Sequence, residues 1–130
     1  MKTVKVVAAL IIDKGRVMAT QRSYGDFAGG WEFPGGKIEL GETPEEALKR
    51  EIMEELELRI CSVEFFKNVR YQYETFYLDM DCFTCEIESG KPELHDHSSM
   101  KWLDEHTLHD VEWLPADVGI IEDLKRRLAG

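Results

Sequence analysis

A layered α/β domain is the fold the sequence predicts, on three observations. Long runs rich in β-branched and aromatic residues at Val4–Asp13, Val63–Tyr73 and Thr75–Glu88 read as strands. A helix with its start signals in place lies between the first run and the second. An amphipathic helix closes the chain at Pro115–Leu128. Strands with helices between and after them bury their apolar faces as stacked layers.

Val4–Asp13 is apolar at nearly every position, which predicts a strand covered on both faces. Lys14-Gly15 makes a turn, and Arg16–Arg22 returns as a second strand. Ser23–Gly30 is loop-like, Trp31–Phe33 is a short extended piece, and Pro34-Gly35-Gly36 is expected to break it. Thr43 is a good N-cap, Pro44 suits the first helical position and Glu46 completes a capping box, so the helix runs to about Leu56. Leu48, Ile52, Met53 and Leu56 share its packed side. After the two long strands, Ser89–Ser99 is a loop, Met100–Leu103 a last strand and Asp104–His109 a single helical turn. Val118, Ile121, Leu124 and Leu128 form the apolar stripe of the closing helix, with Lys125, Arg126 and Arg127 complementing its dipole.

A length of 130 residues favours one domain, 1–130. The net charge of −10 argues against nucleic acid or an anionic membrane as a general partner. An acidic protein that handles an anionic substrate needs a local inversion of its field, for which a divalent cation serves. No apolar run approaches a bilayer span. The start, MKTVKVVAALIIDKGR, passes into Asp13-Lys14 with no small-residue cleavage pattern, so it reads as a buried strand and the cytoplasm is the expected location. Three cysteines, an odd number, do not make a secreted disulfide framework. Cys82-x-x-Cys85 with His95 and His97 invites a zinc reading, but residues three apart on a strand point to opposite faces.

The stretch GGKIELGETPEEALKREIMEELEL raises the functional question. Glu51, Glu54 and Glu55 stand one helical turn apart, where like charges repel by a few tenths of a kcal/mol per pair. Glu54 and Glu55 also sit in the last turn, where the helix dipole opposes anions. Two readings are open: a solvated acidic face, or carboxylates that share a hard divalent cation. The glycine-rich break brings bare backbone to the same region, so the Gly36 carbonyl can face the carboxylates. Arg50, beside them, can hold a carboxylate by a bidentate pair.

Gly36, five residues, Glu42, seven residues, then Arg50-Glu51-Ile52-Met53-Glu54-Glu55, with Leu58 beyond, resembles the Nudix box of the Nudix hydrolases. One position departs: the family's late glycine is Glu57. In the left-handed conformation common there, a glutamate costs about 1 kcal/mol. Trp31–Lys37, Trp102-Leu103 and Leu114-Pro115-Ala116-Asp117 look like the MutT-type branch. The resemblance implies an α/β/α sandwich around a mixed sheet, and hydrolysis of a nucleoside diphosphate linked to a further moiety. It implies Mg²⁺ or Mn²⁺ held by Glu51, Glu54, Glu55 and the Gly36 carbonyl. Glu51, Glu54 or, in a later loop, Asp96 would be the general base. Glu42 would hold Arg50 or the loop. Arg22 and Lys37 would contact phosphates, and Asp117, with Phe33 and Tyr71, would meet the base. Asp117 also has a plain explanation as a helix cap, and Asp96 as a surface residue.

The expected function is a nucleoside triphosphate pyrophosphohydrolase that removes unwanted cytosine or oxidised-purine nucleotides. ADP-ribose or a dinucleoside polyphosphate is the alternative substrate, although the proline that marks ADP-ribose enzymes is Tyr73 here. A Nudix-fold module that binds without catalysis is the remaining possibility, and the intact glutamates speak against it. The resemblance is compatible with a monomer or a homodimer.

Overall fold

The computed structural model describes all 130 residues. β1 (Lys2–Asp13) turns through Lys14-Gly15 into β2 (Arg16–Arg22). Both turn residues have positive φ, 52° and 75°, the conformation of the tight hairpin turns that match strand twist. β3 (Trp31–Glu32) and β4 (Gly35–Lys37) precede α1 (Pro44–Leu56). β5 (Arg59–Gln72), β6 (Phe76–Ser89), β7 (His97–Leu103), a 3-10 turn at Leu108–Asp110 and α2 (Pro115–Ala129) follow.

The central strand order is β3-β2-β1-β6-β5, with β4 also pairing β1 and β7 also pairing β2. β1 and β6 run parallel from Lys2↔Phe76 to Ile11↔Cys85, and the other strand pairs are antiparallel, so the sheet is mixed. Alternate residues of β1 feed two cores. Ala8 and Leu10 join Ile120 and Leu124 of α2, whereas Val7, Ala9 and Ile11 join Leu48, Ile52 and Leu56 of α1. The result is a helix on each side of the sheet, with β1 covered on both faces. Cys82 belongs to the α2 core and Cys85 to the α1 core, so the two thiols lie on opposite faces and form no zinc knuckle.

Several local expectations are corrected. β3 ends at Glu32 with a bend at Pro34, but Gly35-Gly36 then forms a strand of its own, which pairs with β1 through Ala8↔Gly35 and Val7↔Gly36. A Cβ at Gly35 would lie 1.9 Å from the Val7 carbonyl oxygen, so only glycine allows this approach. β5 starts at Arg59, before the predicted Val63, because a bulge at positive-φ Ser62 carries the ladder past an irregular stretch. β7 likewise begins at His97, and of the predicted helical turn Asp104–His109 only Leu108 and His109 are helical, in a 3-10 turn that continues to Asp110.

Both helices are rotated from their predicted faces. α1 buries Ala47, Leu48, Ile52 and Leu56 and leaves Met53 exposed. α2 buries Ala116, Asp117, Ile120, Ile121 and Leu124 and leaves Val118 exposed. For α1 the rotation is toward Ala47, which carries the neighbouring Glu51 and Glu55 against the sheet.

Candidate active site

Thr43 and Glu46 fix the start of α1 reciprocally: the Glu46 amide donates to Thr43 Oγ1 at 3.2 Å, and the Thr43 amide donates to Glu46 Oε1 at 2.9 Å. One turn on, Arg50 organises the acidic surface. Its Nε and Nη2 donate to both oxygens of Glu42, at 2.6 and 2.9 Å, a bidentate clamp. Nη2 also donates to the Lys37 carbonyl at 3.0 Å, tying the helix to β4. Nη1 reaches Glu51 at 2.9 Å and Glu54 at 3.2 Å. Arg50 holds the Glu42 carboxyl below its ordinary range, and the Arg50 guanidinium is stabilised in turn, first by Glu42.

Glu51, Glu54 and Glu55 differ in surroundings. Glu54 is exposed. Glu51 lies against β4: a Cβ on Gly36 would stand 2.4 Å from its carboxyl carbon. Glu55 points inward, and its buried Oε2 has no hydrogen-bond partner. Burial, then the charges of Glu51, Glu32 and Asp96, push its carboxyl up to about 8, opposed by the Gly35 amide. A carboxyl oxygen that is buried without a partner, with a second carboxylate and a bare glycine backbone alongside, fits a hard divalent cation. No three His, Cys, Asp or Glu side chains converge in metal-binding geometry. Arg50 occupies part of Glu51 and Glu54 instead.

Beside this cluster opens a cleft of about 150 Å³, lined by Arg22, Glu32, Phe33, Gly35, Gly36, Tyr73 and Asp117 among others. Arg22, at the end of β2, grips Glu32 through Nε at 3.0 Å and Nη2 at 2.6 Å. Burial works to raise the Glu32 carboxyl, but His97, with Nε2 3.4 Å away, and Arg22 hold it below its ordinary value. Phe33 stacks on Trp113 at 4.5 Å between ring centres. Asp117, in the first turn of α2, is buried, and burial pushes its carboxyl up to about 8. Its Oδ1 accepts the Phe33 amide at 3.3 Å.

Arg22, Phe33, Gly36 and Asp117 therefore share one cleft, and Glu51 and Glu55 lie against two of its lining residues, Gly36 and Gly35. Two expected residues stand apart. Tyr71 projects outside the cleft, 39% exposed, and Tyr73, which packs against it at 4.8 Å, lines the cleft in its place. A strand's alternation separates neighbours but keeps i and i+2 together, so Tyr71 and Tyr73 share a side and only the inner one reaches the cavity. The side chain of Lys37 is exposed and makes no hydrogen bond or ion pair; what it contributes to the site is its carbonyl. Asp96 lies just before β7, its carbonyl accepting from the Ser23 hydroxyl at 2.7 Å. From the sequence alone, Glu32, Tyr73 and His97 carried no assigned role at this site. A charged residue between two buried aromatics, Trp31 and Phe33, was the available signal for Glu32.

A NUDIX domain model matches residues 1–127. The chain is a Nudix hydrolase. It is 34% identical over 125 residues to the 8-oxo-dGTP diphosphatase of Haemophilus influenzae, covering 95% of this chain and 92% of that one. It is 30% identical over 123 residues to the CTP pyrophosphohydrolase of Escherichia coli, covering 94% and 91%. The MutT NUDIX hydrolase from Burkholderia pseudomallei superposes with a TM-score of 0.86 at 24% identity, over 94% of this chain and 98% of that one, which shows the shared fold. The α/β/α sandwich is thus the Nudix fold, and Gly36 to Leu58 is its box. No helix is long and apolar enough to cross a membrane.

Proposed function

We propose that this Nudix hydrolase is a divalent-cation-dependent nucleoside triphosphate pyrophosphohydrolase of the cytoplasm that yields a nucleoside monophosphate and pyrophosphate and clears unwanted nucleotides from the pool. The observation that carries this reading is the buried, unpartnered Oε2 of Glu55 beside Glu51 and the backbone of Gly36. Glu51, Glu54, Glu55 and the Gly36 carbonyl would hold Mg²⁺ or Mn²⁺. When bound, the cation neutralises phosphate charge and lowers the pKa of water.

The chain's own groups do the rest. Arg22 keeps Nη1 without a protein partner while Glu32 fixes its other edge, which suits it to a phosphate oxygen. Arg50 holds Glu42 and β4 in place and so keeps Gly36 against Glu51. Asp96 takes a proton from the attacking water, with Glu51 or Glu54 as the other candidate bases. The water oxygen bonds to the β-phosphorus, the bond to the α–β bridging oxygen breaks, and the monophosphate leaves with that oxygen.

Phe33 and Tyr73 would flank the base, and Asp117 would read its edge. With its carboxyl pushed up to about 8, Asp117 keeps its proton at neutral pH and offers both a donor and an acceptor. Cytosine presents N4–H and N3, and an oxidised guanine presents N1–H and O6, so both match. The homologues' names, 8-oxo-dGTP diphosphatase and CTP pyrophosphohydrolase, support the same two classes. The test is pyrophosphate release with Mg²⁺ across CTP, dCTP, 8-oxo-dGTP and the ordinary triphosphates, for wild type and Glu55→Gln. Turnover that vanishes in the variant supports the reading; no turnover on any triphosphate sinks it.

A further inference from the structure

Glu57 is where the chain departs from the Nudix box, and the fold gives that departure a partner. It ends α1 at φ 55°, a conformation that glycine enters freely and glutamate does not. From there its Oε2 lies 2.7 Å from Nε2 of His95, 38 residues further on. His95 immediately precedes Asp96. The same segment is fastened at other points. The Glu93 amide donates to the Leu56 carbonyl at 3.0 Å, and a Cβ on Gly90 would come within 2.8 Å of the Glu57 carbonyl oxygen. The Ser23 hydroxyl holds the Asp96 carbonyl from the other side. The stretch from Gly90 to Asp96 is therefore tied to the end of α1 at one end and to the loop after β2 at the other. A carboxylate–imidazole contact half exposed on both sides stabilises no more than a left-handed glutamate opposes, so fold stability does not account for Glu57.

We propose that Glu57 and His95 are a positioning pair: the Glu57 carboxylate holds the His95 imidazole and thereby the backbone that presents Asp96 to the Glu51–Glu55 cluster. The inference rests on reading Asp96 as the general base. Glycine at position 57 would end the helix with less strain and leave His95 without its partner on α1.

The experiment uses full-length wild type, E57G, E57Q, H95A, the E57G/H95A double variant and D96N, with CTP and 8-oxo-dGTP as substrates. It reads kcat, KM, thermal unfolding and hydrogen exchange at the Glu93 amide. E57G and H95A are each expected to lose about tenfold or more in kcat, the scale of a misplaced catalytic group, with KM nearly unchanged. E57G should unfold at or above the wild-type temperature, which a merely structural residue would not do. The double variant should lose no more than either single, since both break one contact. E57Q, which keeps an acceptor for the imidazole N–H, should recover most of the rate. The Glu93 amide should exchange faster in E57G. Wild-type kcat in E57G or H95A, losses that multiply in the double variant, or unchanged exchange at Glu93 would each overturn the proposal. D96N separates the two ideas: if it turns over like wild type, the base assignment fails, whereas exchange at Glu93 reports on the fastening whichever residue is the base.

Discussion

The two helices pack on opposite faces of one sheet and treat charge in opposite ways. α2 ends with Arg126 and Arg127, as its dipole favours, and Asp123 pairs with Lys67 at 2.5 Å and with Arg126. α1 has no basic residue in its last turn, carries Glu54 and Glu55 there, and closes on a left-handed glutamate. Each helix nonetheless holds one buried carboxyl pushed up to about 8 by burial, Asp117 on α2 and Glu55 on α1. Asp117 has the Phe33 amide; Glu55 Oε2 has no partner. The local rules of helix charge fail together at the acidic end of α1 and hold at the end of α2.

The sharpest test of that contrast is Glu55→Gln against Leu124→Ala. The first should lower kcat by roughly 10³-fold, as loss of a metal ligand does, while the protein unfolds no sooner than wild type. The second should cost about 2–5 kcal/mol of stability in a buried core position and leave kcat of the folded enzyme near wild type. A Glu55→Gln variant that keeps full activity would erase the distinction.

Gly36→Ala should come next, with about 1–3 kcal/mol lost to overpacking against Glu51 and kcat down by roughly 10²-fold. Steady-state kinetics and denaturant unfolding of the same preparation separate the two effects.

The paired carboxyls give a pH test. A carboxyl whose folded value is about 8, above its unfolded value, binds a proton that the unfolded chain has already released between pH ~4 and ~8. Stability should therefore fall as pH rises through that window, by up to about 5 kcal/mol for each carboxyl. Asp117→Asn should remove one share of the slope at any metal concentration. Glu55→Gln should remove the other share only without Mg²⁺, because a bound cation would hold Glu55 ionised in the folded state. Thermal unfolding from pH 5 to pH 8, with and without Mg²⁺, measures both. The smallest effect belongs to the partly exposed pair on the α2 side: Lys67→Met should change stability by at most about 1 kcal/mol and leave turnover alone.

Much of the fold was legible because strong local signals agreed with it. The capping box at Thr43–Glu46, the Lys14-Gly15 turn and the apolar run of β1 each depend on neighbours in sequence. β4 was not legible, because Gly35-Gly36 becomes a strand only by pairing with Val7 and Ala8 of β1, a long-range fact. The rotations that expose Met53 and Val118 were hidden for the same reason: the sheet, not the helix wheel, selects which flank is covered. At the site, the spacing of the box made the acidic helix and Arg50 readable. Glu32 and Tyr73 line the cleft from β3 and from the turn after β5, His97 meets Glu32 from β7, and no spacing within one segment announces them.

The parallel pairing of β1 with β6 has a consequence during synthesis. The first strand's partner, from Phe76 to Cys85, is made more than seventy residues after it. At ~5–20 residues per second the ribosome needs roughly 4–15 s to make that partner. Until then, the edge of Val6–Ile11 that β6 takes and the face that α2 covers lack their partners, and an unpaired apolar strand edge is the kind of feature that associates with its own copies. The strand that ends as the best-protected in the enzyme is, for those seconds, its most exposed liability.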